Sequence, residues 1–163
     1  MHTAILEESM CAKCRGVCCR RMPGICTPGD IMRNYPSPTL MESVVLALDS
    51  GHYSIDNWEG GGYAPHTKVI ACKCSLYYIR PRIVGHDRVY DPVWGGQCIF
   101  LTDDGCKLPP EDRPTQCRIL VPDTDSTKCT DSMKYNGKYV FGRLWSKYIN
   151  LWEVYIDILD SRR

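Results

Sequence analysis

The strongest hydrophobic period in the chain lies near its C-terminus. From about Val140 to Asp160, Leu144, Trp145, Tyr148, Ile149, Leu151, Trp152, Tyr155, Ile156 and Leu159 fall at helical spacing, with Arg143, Lys147, Asn150, Asp157 and Asp160 between them. This predicts an amphipathic helix over about 140–160. Its cations come early and its acids late, against the helix dipole, so packing of the wide apolar face must hold it. A second helix is written in TLMESVVLALDSG. There Thr39 and Glu42 form a capping box, Leu40, Val44, Ala47 and Leu48 share one face, and Gly51 is placed to end it. A shorter helix opens at TPGDI: Thr27 caps it, Pro28 suits the first position, Asp30 completes a capping box, and Pro36 stops it.

The remaining pattern is weaker. KVIACKCSLYYIRPRIVG alternates and is rich in Val, Ile and Tyr, which predicts one short strand. NWEGGGYAPH reads as a loop, and MKYNGKYVFG as a hairpin turning at Asn136–Gly137. Residues 98–130, rich in Pro, Asp, Thr and Gly, read as loops and turns.

Charge narrows the partners. Lys and Arg number 20 against 19 acidic residues, a formal charge of +1, so there is no basic stripe to attract nucleic acid. No run of apolar residues is long enough for a transmembrane helix, so no membrane partner is expected. MHTAILEESM lacks a basic n-region and an apolar h-region, so no secretory signal is expected. Ten Tyr and four Trp against two Phe suit a partly wet core or an interaction face.

The cysteines change the picture most. There are 11, and CAKCRGVCC puts Cys11, Cys14, Cys18 and Cys19 into nine residues. An odd count without a signal peptide points to a reducing, cytoplasmic compartment, which favours metal or catalytic thiols over a disulfide framework. Cys11-x2-Cys14 is a spacing shared by zinc sites, iron–sulfur sites and redox pairs, but no β pattern precedes it, as a thioredoxin-like pair would need. A second group, Cys98, Cys106 and Cys117, sits in the loop-rich stretch. Such loops need an anchor. A structural zinc contributes about 10–16 kcal/mol in finger peptides, comparable with or above the about 5–15 kcal/mol net stability of a domain. Head and tail thiols are therefore expected to meet on shared metal. The fold expected is a small α-rich α+β: irregular metal-stapled loops packed on a few helices, with a short β-hairpin. It would be one domain over 1–163, with its metal core at about 11–121.

CAKCRGVCC, TPGDI, LDSGHYSIDNW and the tail C-I-F-L…G-C…R-P-x-x-C-R together resemble the YkgJ-like CxxCxxCC cysteine-cluster family of zinc- or iron-chelating proteins. The chain departs from the family head by having three residues between Cys14 and Cys18, which leaves open which of Cys18 and Cys19 takes each family role. The resemblance implies ligands at Cys11, Cys14, Cys18, Cys19, Cys98, Cys106 and Cys117, with an iron–sulfur cluster or zinc as cofactor. Seven thiolates exceed one tetrahedral site, so either a four-cysteine cluster with spare thiols or two neighbouring metals would use them. Soft thiolates suit zinc and iron–sulfur rather than magnesium or calcium.

Cys72 and Cys74 are secondary ligand candidates on one strand face; Cys26, Cys129, His66 and His86 are weaker ones. Arg20, Arg21, Arg113 and Arg118 flank cysteines and could stabilise an anionic thiolate cluster, or Arg113 and Arg118 could pair with Glu111 and Asp112. Three functions stay open: a metal-binding protein acting in electron transfer, metal handling or protein modification; a metal-dependent protein-modifying enzyme related to flagellin lysine N-methylases; and a zinc-stabilised adaptor for a protein partner. No nucleophile or acid–base constellation stands out beyond the thiols.

Overall fold

The computed structural model describes residues 16–59, 75–93, 95–122, 129–131, 137–148 and 156–157. Helices α1 (Val17–Arg21), α2 (Pro28–Asn34) and α3 (Leu40–Asp49) come first. Strands β1 (Tyr53–Glu59) and β2 (Ser75–Pro81) follow, then the two-residue strands β3 (Leu101–Thr102) and β4 (Gly105–Cys106). After a 3-10 turn at Pro110–Asp112 come α4 (Thr115–Arg118), β5 (Leu120–Pro122), β6 (Cys129–Asp131) and α5 (Gly137–Trp145), with a second 3-10 turn at Ser146–Tyr148.

The two N-terminal caps form as their residues dictate. Thr27 Oγ1 accepts from the Asp30 N–H at 3.1 Å while Asp30 Oδ2 accepts from the Thr27 N–H at 2.8 Å. Thr39 and Glu42 make the same reciprocal pair at 3.2 and 3.1 Å. Each such cap stabilises its helix by about 1 kcal/mol. Tyr35 ends α2 just before Pro36. Val44, Ala47 and Leu48 bury the inner face of α3, and Gly51 takes the left-handed turn (φ 77°) that lets the chain reverse into β1.

The centre is the antiparallel β1–β2 ladder, in register from Tyr53 opposite Pro81 to Glu59 opposite Ser75. Both of its edges are occupied. Cys26 N–H donates to Ile79 O at 2.9 Å beside β2. On the far side of β1, Ile55 N–H donates to Val89 O at 2.7 Å and Asp91 N–H to Ile55 O at 2.8 Å. Covering elements bury both faces: Tyr53, Ser54, Ile55 and Asp56 are buried in succession. α5 packs on β2, with Gly142 so close that a Cβ there would sit 2.8 Å from Leu76 Cβ. Phe141 and Trp145, one helical turn apart, enter the core with Ile25, Ile31, Val44, Ile55 and Ile79. The Trp145 indole N–H donates to Cys26 O at 2.8 Å.

A buried ion network completes this layer. Arg80 is fully buried; its Nε donates to Asp56 Oδ2 at 2.7 Å, and its Nη2 donates to Asp91 O at 2.7 Å and Oδ2 at 3.1 Å. Its Nη1 donates to Pro81 O at 3.1 Å. His86, partly exposed, pairs with Asp91 at 2.9 Å.

The α-rich expectation is corrected. Among the described residues five short helices stand beside six strands in three two-stranded ladders, a roughly balanced α+β fold. The reason is β1: Ser54 and Asp56 interrupt the apolar alternation because their faces are buried by other means, Asp56 by Arg80 and Ser54 by its hydroxyl donating to Arg88 O at 2.8 Å. NWE, read as loop, is the end of that strand. The hairpin at Asn136–Gly137 is also corrected, since Gly137 opens α5. The helical spacing of Phe141 and Trp145 on β2 overrides the local turn signal there. The C-terminal helix begins earlier than the pattern implied and passes into a 3-10 turn after Trp145. Within 149–160 only Ile156 and Asp157 are described, and both are helical. No described helix is long and apolar enough to cross a membrane.

Candidate metal centre

The head begins its described course at Gly16, whose left-handed φ of 66° launches α1 and whose missing Cβ makes room for Leu101 Cδ1. Cys18 and Cys19 lie on this single helical turn, their sulfurs 3.9 Å apart. The tail returns to them by backbone hydrogen bonds. Cys98 N–H donates to Cys19 O at 2.7 Å, and Gly96 N–H donates to Arg21 O at 2.8 Å. The segment 96–98 therefore runs along the end of α1 and delivers the buried Cys98. Cys106 follows on β4, opposite Leu101.

Cys117 arrives by another route. It sits on α4, pressed against Gly24 so closely that a Cβ on Gly24 would overlap its Sγ. Gln116 fixes the approach: its Oε1 accepts from Ile25 N–H at 2.8 Å, and its own N–H donates to Ile25 O at 3.4 Å. Cys18, Cys19 and Cys117 then border one cavity of about 170 Å³, with Met22, Gly24 and Gln116 among its walls.

The electrostatics record the same crowding. The Cys19 thiol is pushed far up by its hydrogen bond with Cys18, then by burial, then by repulsion from Cys18, Cys117 and Cys98. Burial raises the Cys117 thiol, and Cys98, Cys18 and Cys106 raise it further. Burial also leads at Cys98, pushed up to about 11, with Cys106 and Cys18 adding to it against a backbone hydrogen bond from Phe100. Without a cation, anionic sulfur is disfavoured throughout this group.

Of the seven candidate cysteines, Cys18, Cys19 and Cys117 thus border one cavity, while Cys98 is tied to Cys19 through its backbone and Cys106 stands on β4. Cys11 and Cys14 lie outside the described residues, as do Cys72, Cys74 and His66. Among the described residues no group of three or more His, Cys, Asp or Glu side chains stands ready to hold a metal ion. Cys26 is fully buried beside β2, and Cys129 lies on β6. His86 belongs to the Asp91 pair. Two of the four flanking arginines are engaged in the scaffold: Arg118 Nη2 donates to Asp30 Oδ1 at 2.8 Å, and Arg113 Nε donates to Leu108 O at 3.0 Å; Arg20 and Arg21 are exposed on α1.

Sequence reasoning missed Gly24, Gln116 and the second role of Asp30. Pro23–Gly24 reads only as a local break, and nothing in one sequence says that a sulfur from α4 fills the space of the absent side chain. The Gly24 contact makes a prediction. Gly24→Ala should force Cys117 off its seat, cost about 1–3 kcal/mol as an overpacked site, and speed alkylation of Cys117 in the metal-free protein. Urea midpoints and mass spectrometry after N-ethylmaleimide labelling check it; an unchanged midpoint with Cys117 still protected would contradict the packing described.

No family model, no curated protein and no solved structure matches the chain.

Proposed function

We propose that this chain is a metal-binding protein that holds an iron–sulfur cluster or zinc through Cys18, Cys19, Cys98, Cys106 and Cys117, together with Cys11 and Cys14 of the head. The observation that carries the reading is the return of the tail to the head: Cys98 bonded through its backbone to Cys19, and Cys117 seated on Gly24 beside Cys18 and Cys19. The likeness of the head and of RPTQCR to the YkgJ-like proteins supports the same reading.

The donor set fits the group. All seven residues are soft sulfur donors, suited to zinc or iron–sulfur centres. The Cys18 hydrogen bond and burial raise the Cys19 thiol, burial raises the Cys117 thiol, and repulsion from neighbouring sulfurs adds to both; a cation would offset this by displacing their protons. A cavity of about 170 Å³ bordered by three of the sulfurs leaves room for an ion or a small cluster. A reducing compartment such as the cytoplasm would keep these thiols available to a metal.

When bound, such a group would supply charge neutralisation and, for iron–sulfur, one-electron transfer. The chain's own contribution is to bring the sulfurs toward one another, with Cys98 buried and Cys18, Cys19, Cys106 and Cys117 partly buried.

Purification without oxygen, followed by iron, zinc and acid-labile sulfide per chain and a visible spectrum, tests the reading. A coloured protein with iron and sulfide in comparable amounts, or a colourless one with stoichiometric zinc, is the expected result. Protein holding neither metal overturns it.

A further inference from the structure

We infer that Asp30 is a positioning residue for Cys117: its carboxylate fastens the start of α4, which carries that thiol, to the start of α2. The inference rests on the reading of Cys117 as a member of the thiol centre and adds what holds it there.

Asp30 does more than a capping box requires. The capping box itself uses one bond, from the Thr27 N–H to Oδ2 at 2.8 Å. The same Oδ2 accepts from the Thr115 N–H at 2.7 Å. Oδ1 accepts from the Thr115 hydroxyl at 2.9 Å, from Arg118 Nη2 at 2.8 Å and from Arg33 Nη2 at 2.9 Å. Three of these five bonds come from α4, 85 or more residues away in the chain.

The reason lies at the start of α4. A helix leaves its first N–H groups without partners, and a side-chain oxygen at the cap position ordinarily takes one. Here that position is Pro114, which has no such oxygen and makes no cap bond. Asp30 supplies the missing acceptor from another element. Its side chain is almost wholly buried, so these charge-assisted bonds stand where their loss is felt most. Burial alone would raise the Asp30 carboxyl, but the Thr27, Thr115 and Arg33 bonds outweigh it and hold it below its ordinary value. Two residues after Thr115, Cys117 is set against Gly24; loosening the first turn of α4 frees that thiol while Gln116 still tethers its neighbour to Ile25.

The test is carried out on the full chain, first without metal. Wild type, Asp30→Asn, Asp30→Glu and Thr115→Val are labelled with N-ethylmaleimide, and the rates at Cys117 and Cys26 are read by mass spectrometry. Cys26, fully buried in the core, reports global opening. Asp30→Asn is expected to speed labelling of Cys117 at least tenfold with Cys26 unchanged. Thr115→Val, which leaves the α2 cap intact, should speed it several-fold, and Asp30→Glu should recover part of the protection.

A zinc titration against a competing chelator should then show at least tenfold weaker binding by Asp30→Asn. Cys117 labelling at the wild-type rate in both Asp30→Asn and Thr115→Val, or rising only in step with Cys26, overturns the inference. If wild type takes up neither zinc nor iron, the proposed function fails while the labelling result still decides the role of Asp30.

Discussion

Replacing Arg80 with Met is expected to lower the free energy of unfolding by about 3–5 kcal/mol. Arg80 is fully buried between two carboxylates, Asp56 at 2.7 Å and Asp91 at 3.1 Å, and also satisfies the carbonyls of Pro81 and Asp91. Methionine fills much of the volume but leaves two desolvated acids facing each other, with only the partly exposed His86 beside Asp91. The cost comes from those stranded charges rather than from the attraction that is lost. A control separates the two: combining Arg80→Met with Asp56→Leu and Asp91→Leu removes all three buried charges at once and should recover most of the loss. Urea unfolding at neutral pH, followed by tryptophan fluorescence, reads both variants. A drop below about 1 kcal/mol for the single variant would mean that water reaches the network as it reaches a surface pair.

Trp145→Ala should cost a similar amount, about 3–5 kcal/mol, for a different reason. Trp145 is fully buried, stacks its edge toward Tyr148, and donates to the carbonyl of Cys26. Alanine leaves a cavity in the layer that joins α5 to β2 and to the Cys26 segment. Trp145→Phe separates the parts: it keeps most of the apolar contact and removes the indole bond to the Cys26 carbonyl, worth about 0.5–1.5 kcal/mol. Because Gly24 and Cys26 lie on one stretch, the alanine variant should also loosen the wall of the thiol cavity and raise labelling of Cys117. Stability loss with Cys117 fully protected would show that the two regions are uncoupled.

How far these features could be read in advance depends on how local their causes are. The caps at Thr27 and Thr39 are set by residues three positions apart, and both stand where the sequence put them. The inner face of α3 follows from helical spacing alone. The β1 strand was hidden because Asp56 and Ser54 are buried for reasons that lie far along the chain, in Arg80 and Arg88. Asn136–Gly137 carries a strong hairpin signal, yet the burial of Phe141 and Trp145 on β2 prevails.

At the candidate centre, spacing within the head marked the thiols, and their meeting with Cys98 and Cys117 was anticipated from chemistry. The means of that meeting were not: a missing Cβ at Gly24, an amide at Gln116 and a carboxylate at Asp30 each act through partners about 85 or more residues away. β1 and β2 are held by their own ladder, by occupied edges and by the Arg80 network.

The span between Cys18 and Cys117 has a consequence for biosynthesis. Roughly a hundred residues separate the two sulfurs, so at about 5–20 residues per second they are translated some 5–20 s apart. On the ribosome the vicinal pair emerges long before the thiol that closes the cavity with it. During that interval the nascent chain presents Cys18 and Cys19 to oxidants and free ions, until the 96–98 segment and then α4 pack beside them.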